Sequence, residues 1–262
     1  MTRLSKLTTI GKNSVRRRNF GVMFEKLTLR LFERDDPVKA RAWCQSHAED
    51  YKAFLKQIDA NLYNETENVC DLITQNAQVK IDKLGLDLGG GGHIPLLYFF
   101  TRHLKAKTVV ETGVAAGWSS QTILTAIHKN NNDGHLYSSD FPYFRYENPE
   151  QYVGFVVIPS LKEQWTLHID GDRNNIPKID KAVETIDLLH YDSDKSSKGR
   201  KYVWNTLSPK LSSNALVIYD DIQDNMHFRD LMESIGHPFK VFEYGGKYIG
   251  VFGAFLDHLD DA

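Results

Sequence analysis

The stretch Val109-Val110-Glu111-Thr112-Gly113-Val114-Ala115-Ala116-Gly117-Trp118-Ser119 decides the fold. An apolar, β-branched run ends on a carboxylate, passes through a turn with glycine at 113 and 117, and enters a helical stretch. Glycines at such a turn let the backbone lie close against a ligand. A dinucleotide fingerprint would place G-x-G-x-x-G here, so that a pyrophosphate could reach the helix N-terminus. This turn reads G-x-x-x-G instead, and Glu111 opposes a phosphate while attracting a cationic group such as an α-ammonium. The expected ligand is an amino-acid-bearing nucleoside.

Downstream of the turn, short β-rich runs alternate with helical stretches, the pattern of βαβ units and a mostly parallel sheet. The expected strands are 108–112, 135–139, 165–169, 186–192 and 215–220. They are followed by Val241-Phe242-Glu243, the pair Gly245-Gly246 and an apolar run over 248–255, which reads as a hairpin closed by a two-glycine turn. Upstream, Asp36-Pro37 is an N-cap followed by proline at the first helical position. Tyr51, Phe54, Leu55, Ile58 and Leu62 fall on one stripe of a helix. A second helical stretch around Val69, Leu72 and Ile73 runs to the glycine cluster at 85–92, and Pro95 opens another apolar helix through Leu104. The chain therefore divides into a basic, mobile segment over 1–35, a helical part over 36–105 that packs on the core, and a ligand-binding core over 106–262. The aromatic stretch 141–164 is too long for an ordinary connection and reads either as a lid or as an anchored loop.

Composition narrows the function classes. Lys and Arg number 32 against 34 Asp and Glu, a net charge of −2, so no global field draws nucleic acid or a membrane surface. No apolar run is long enough to cross a bilayer. Two cysteines suit a reducing compartment and exclude a thiolate cage. Cytoplasmic location is expected; the Arg-rich, acid-free N-terminus leaves organellar targeting open. A serine nucleophile elbow and a P-loop are both absent, and the ten histidines show no H-E-x-x-H. His168 and His190 lie inside expected strands, where a core or site-wall role is expected before metal ligation.

Acidic residues close the successive strands. Asp140 ends the second, where a carboxylate accepts ribose hydroxyls, and Asp170-Gly171-Asp172 follows the third. The fourth ends at Asp192, the fifth at Asp220-Asp221. In an open parallel sheet these ends face one crevice, and three converging carboxylates need a cation. Oxygen ligands without cysteine favour Mg²⁺, Mn²⁺ or Ca²⁺.

With these motifs the sequence resembles the class I S-adenosylmethionine (SAM)-dependent methyltransferases over about residues 90–255. The resemblance implies a doubly wound, mostly parallel α/β sheet of seven strands, a Rossmann-like methyltransferase fold with an antiparallel C-terminal hairpin and N-terminal helices. It implies that Glu111 holds the methionine ammonium side, that the Gly113 and Gly117 backbone lies against the cofactor, that Ser119 is near its carboxylate, and that Asp172 contacts the adenine end. Two metal-dependent branches resemble the later motifs, the catechol and caffeoyl-coenzyme A type and the macrocin type of O-methyltransferase. Both imply Asp192, Asp220 and Asp221 as ligands of Mg²⁺ or a similar ion. Three residues after the first ligand the catechol branch carries a lysine base and the macrocin branch a histidine. Lys195 stands there, whereas Asp-Asp-Ile with Asn225 and Phe228 is closer to the macrocin branch, so the acceptor stays open. The expected activity is methyl transfer to a small hydroxylated acceptor with adjacent oxygens. The rivals are a cephalosporin-hydroxylase-like oxidoreductase and a non-catalytic SAM-binding module. No nucleic-acid partner is expected, and a homo-oligomer is left open.

Overall fold

The structure, a computed structural model, describes residues 9–10 and 36–259. Most of the basic 1–35 segment lies outside the described residues. Asp36 caps helix α1 (Pro37–His47), its carboxylate accepting from the Lys39 amide at 3.0 Å. A two-residue strand β1 (Ala48–Glu49) follows. The apolar stripe from Tyr51 to Leu62 spans two helices rather than one, α2 (Tyr51–Ile58) and α3 (Ala60–Leu84). Asp59 makes the break, because its carboxylate competes for backbone donors and takes the amides of Asn61 and Leu62 at 3.0 and 2.9 Å. The stripe still faces inward, with Leu55 and Tyr63 buried. Helix α3 stops at Gly85, which is left-handed at φ 66°. After the 85–92 loop, His93 caps α4 (Ile94–His103), an almost wholly buried helix.

The sheet consists of β2 (Thr108–Thr112), β3 (His135–Ser139), β4 (Trp165–His168), β5 (Ile186–Tyr191), β6 (Leu211–Tyr219), β7 (Phe239–Tyr244) and β8 (Lys247–Phe252), with β1 added at one edge. Its order is β1-β7-β8-β6-β5-β2-β3-β4. Only β8 runs against its neighbours among the described strands. The seven expected strands thus become eight through the edge pair Ala48↔Val241 and Glu49↔Phe242. The run over 248–255 ends as a strand at Phe252, since Gly253 at φ 128° turns the chain into α9 (Ala254–Leu259). Gly245 and Gly246, both with positive φ, close the β7–β8 hairpin.

Both faces are covered, as a doubly wound sheet requires. Val109, Leu188 and Leu216 pack under α2, α4, α5 (Trp118–Asn130) and α9. Their neighbours Val110, Leu189 and Val217 face α1, α6 (Asp172–Ala182), α7 (Ser197–Leu207) and α8 (His227–Ile235). From β2 the chain winds outward through β3 and β4, then returns to the other side of β2 with β5 and β6. The switch point lies between β2 and β5, and the crevice at their carboxyl ends is where an open α/β sheet binds ligands. No helix among the described residues is long and apolar enough to cross a membrane.

Candidate functional site

The glycine turn sits at that switch point. Gly113 and Gly117 are left-handed at φ 85° and 95°. A Cβ on Gly113 would lie 2.5 Å from the Asp192 carbonyl oxygen, so only glycine lets the turn pass the end of β5. Asp140, at the end of β3, reaches back to the turn: one carboxylate oxygen accepts the amides of Val114 and Ala115 at 2.9 and 2.6 Å, the other that of Phe141 at 2.6 Å. Burial pushes its pKa up to about 6 against the pull of these amides, with Asp172 adding to the rise. Ser119 is buried in the first turn of α5. Asp172 opens α6 and ties two strand ends together, accepting from Ser139 Oγ at 2.7 Å and Ser193 Oγ at 2.6 Å.

Glu111 is fully buried. One oxygen accepts from Ser120 Oγ at 2.5 Å and Ser138 Oγ at 2.8 Å. The other has no hydrogen-bond partner and lies 3.7 Å from His190 Nδ1. Burial favours the neutral imidazole, but Glu111 and then Asp192 and Asp220 outweigh it and raise the His190 pKa.

The acidic strand ends converge as expected, with one rearrangement. Ligand-capable atoms of His190, Asp192 and Asp220 lie within 4.8 Å of one another. Asp220 accepts the Asp221 amide with one oxygen at 2.9 Å, while its buried Oδ2 has no partner. Burial, Asp192 and Asp221 push its pKa up to about 6. Asp221, left-handed at φ 53°, turns instead to two ammonium groups, Lys195 Nζ at 3.0 Å and Lys247 Nζ at 3.0 Å. Burial alone would raise its pKa, yet the lysines hold it at about 2. Lys195 also bonds the Asp192 carboxylate and its carbonyl. A lysine base there would need its pKa lowered, by a bound cation, the cofactor sulfonium and burial together. In the structure, burial pulls it down but Asp192, Asp221 and Asp220 outweigh burial and raise it. The carboxylates alone therefore keep Lys195 an ammonium.

The pattern of β2, glycine turn, Asp140 and paired strand-end acids is matched by a family of known proteins: residues 110–222 match the family described as a methyltransferase domain. Over these residues the chain is similar to that methyltransferase domain. Solved structures agree on the fold. TomG from Streptomyces achromogenes, an O-methyltransferase involved in tomaymycin synthesis and seen in complex with SAM, is 16% identical, with a TM-score of 0.53 over 69% of this chain and 87% of its own. An O-methyltransferase from Bacillus cereus in complex with S-adenosylhomocysteine (SAH) is 12% identical, with a TM-score of 0.54 over 69% and 89%. A methyltransferase from Geobacter sulfurreducens is 15% identical, with a TM-score of 0.50 over 70% and 89%. No curated protein matches the chain.

Of three further parts of the site, sequence reasoning left the aromatic stretch open between two readings, gave His190 only a core or site-wall role, and missed Arg200. The aromatic stretch is anchored rather than free: Gly154 N and Val156 N donate to the carbonyls of Ala115 and Ala116, both at 2.9 Å, so it is hydrogen-bonded to the glycine turn itself. The Tyr143 and Tyr146 hydroxyls then bond the Leu88 and Asp87 carbonyls at 2.6 and 2.8 Å. Arg200, fully buried between the rings of Tyr191 and Tyr219, donates to the carbonyls of Asp220 and Asp221 at 3.2 and 3.0 Å and braces the acidic loop from beneath. His190 pairs in register with Glu111 across β5 and β2. Only this last feature had a signal: two polar residues one step before the ends of adjacent strands face the same way.

Proposed function

We propose that the protein is a SAM-dependent O-methyltransferase that uses a divalent cation to act on a small hydroxylated acceptor with adjacent oxygens. The observation that carries this reading is the meeting, at one switch-point crevice, of the glycine turn with Asp140 on one side and the Asp192–Asp220 pair with Lys195 on the other. SAM fits the first side. The left-handed turn allows close backbone approach, Asp140 offers a carboxylate to ribose hydroxyls, and the Glu111 oxygen without a hydrogen-bond partner, which faces His190, attracts positive charge. The donor set of the second side fits a hard cation, with Asp192 and Asp220 supplying oxygens, His190 close by, and Asp220 Oδ2 unpartnered. Asp221 holds the lysines and in this reading joins the ligands only by releasing them.

SAM, when bound, supplies an electrophilic methyl group, and a divalent cation supplies a Lewis acid that acidifies the acceptor hydroxyl and repels a neighbouring ammonium. The protein's own residues do the rest. The turn and Asp140 would fix the donor, Arg200 holds the Asp220–Asp221 backbone against recoil, and Lys195, after losing its own ammonium proton to solvent, would take the acceptor proton at Nζ as oxygen accepts the methyl group.

Calorimetry with SAH and turnover of SAM with catechol and Mg²⁺ test the reading. SAH binding, acceptor-dependent turnover and its loss in chelator are expected. Lys195→Ala should slow single-turnover transfer at least about tenfold with SAH affinity unchanged. Absence of SAH binding overturns the reading, and full activity in excess chelator removes the cation from it.

A further inference from the structure

The glycine cluster at 85–92 forms the loop between α3 and α4, and its last residue borders the acidic cluster. A Cβ on Gly92 would stand 2.7 Å from Asp220 Oδ2 and 3.9 Å from Asp192 Oδ2. Real Cβ atoms do not approach an oxygen that closely, so position 92 tolerates no side chain unless Asp220 or the loop moves. Gly92 does not have a positive φ, so its backbone suits any L-residue. Space alone, not conformation, asks for glycine there. The atom it faces is the one buried carboxylate oxygen of the cluster that has no hydrogen-bond partner among the described residues. One residue back, a Cβ on Gly91 would meet Trp118 Cβ at 3.0 Å, so the Gly91-Gly92 strip runs from the head of α5, beside the glycine turn, to the carboxylates. Two residues back, Gly90 also lacks a positive φ and has open space around it. The loop thus carries its own control.

We propose that Gly92 is a specificity-determining residue of the acceptor site. Its bare Cα leaves beside the buried Asp220 Oδ2 the room that a cation and the acceptor oxygen would need, and a side chain at 92 would take that room. The inference rests on the methyltransferase reading above and adds the wall that decides what reaches the acidic cluster. That wall is backbone, flat and without reach, so it admits an acceptor whose two oxygens lie at the edge of a planar or narrow group.

The test uses the full-length protein with Gly92→Ala and Gly90→Ala. Mn²⁺ binding is followed by electron paramagnetic resonance, SAH binding by calorimetry, and KM and kcat with catechol as acceptor. Gly92→Ala should raise the Mn²⁺ dissociation constant and the acceptor KM at least about tenfold, since the added methyl competes for the space of a ligand atom. SAH affinity should stay within about twofold of wild type, because the cofactor side lies at the other end of the strip. Gly90→Ala should match wild type throughout. Unchanged Mn²⁺ binding and KM in Gly92→Ala overturn the proposal, as does an equal loss of SAH binding, which marks a general collapse of the crevice. If Gly92→Ala proves too unstable to assay, the double variant Gly92→Ala/Asp220→Ala decides through its melting temperature. Stability restored relative to Gly92→Ala supports the Cβ–carboxylate contact, and no restoration refutes it. A wild-type protein that binds neither SAH nor Mn²⁺ overturns the underlying reading, and this role with it.

Discussion

Asp140 shows how one side chain couples the fold to the ligand. Its carboxylate is spent on three backbone amides of the turn it faces, and yet burial holds its pKa at about 6. A carboxyl whose pKa is raised in the folded protein is most stabilising when protonated. That contribution is fully present below the unfolded value of about 3.9 and is lost as pH rises through about 6. Asp140→Asn should therefore melt at a higher temperature than wild type at pH 7.5 and show no such gain near pH 3.5, with a difference of at most about 3 kcal/mol. Binding runs the opposite way. If Asp140 accepts ribose hydroxyls as a carboxylate, SAH affinity should fall as pH drops through 6 and lie flat in the variant. A wild-type affinity that is flat from pH 5 to 8 removes Asp140 from the cofactor site. The residues at strand ends were legible in the sequence because parallel sheets put them there by rule. Arg200 and Gly92 were not, since each acts on the acidic loop from more than ten residues away and nothing local marks the contact.

At the scale of elements, β2 to β5 were readable almost to their ends because β-branched runs and glycine turns punctuate them locally, whereas β6 begins at Leu211, ahead of its expected start, and β1 gave no signal. The helix break at Asp59 and the course of 141–164 were not. A carboxylate on the polar face of a continuous stripe gives no warning that it will cap a new helix. The 141–164 stretch owes its course to one distant turn: Gly154, left-handed at φ 69°, presses on Gly117 and lies under the Trp165 ring, where a Cβ would come within 2.2 Å of Cη2. Gly154→Ala should thus incur backbone strain and displace the indole together. The expected cost is several kcal/mol, since a positive φ and overpacking are each worth about 1–3. Trp165 also bonds Ser138 Oγ, a donor to Glu111, so the disturbance should reach the cofactor side and weaken SAH binding as well. Urea titration with calorimetry on the same samples checks both. A variant that is destabilised yet binds SAH normally would show that the aromatic stretch is packing alone.

For the whole molecule, the question is whether residues 36–105 form a unit of their own or part of the core. The sequence suggests a helical part packed on a ligand-binding core, and the burial pattern makes that packing intimate. Leu55, Tyr63, Leu96, Leu97, Phe99 and Phe100 belong to the same buried cluster as Val109, Leu136, Leu188 and Ile249 of the sheet. On the other face, Cys44 of α1 lies in the cluster of Leu189, Val217 and Val241. Burying one such large apolar side chain is worth about 1.5–3 kcal/mol, so six of them are as large as the net stability of about 5–15 kcal/mol that a domain commands. A chain shortened to residues 106–262 should therefore fail to fold, showing no cooperative melt and exposing apolar surface to a dye. The intact protein should unfold as one unit. Trp43 reports from α1, whereas Trp118, Trp165 and Trp204 report from the core, so variants that keep Trp43 alone or Trp204 alone should give superimposable urea transitions. Two separated transitions would mean that the helical part is an independent domain. In that case the Gly91-Gly92 strip it carries would ride on a hinge instead of forming a fixed wall of the crevice.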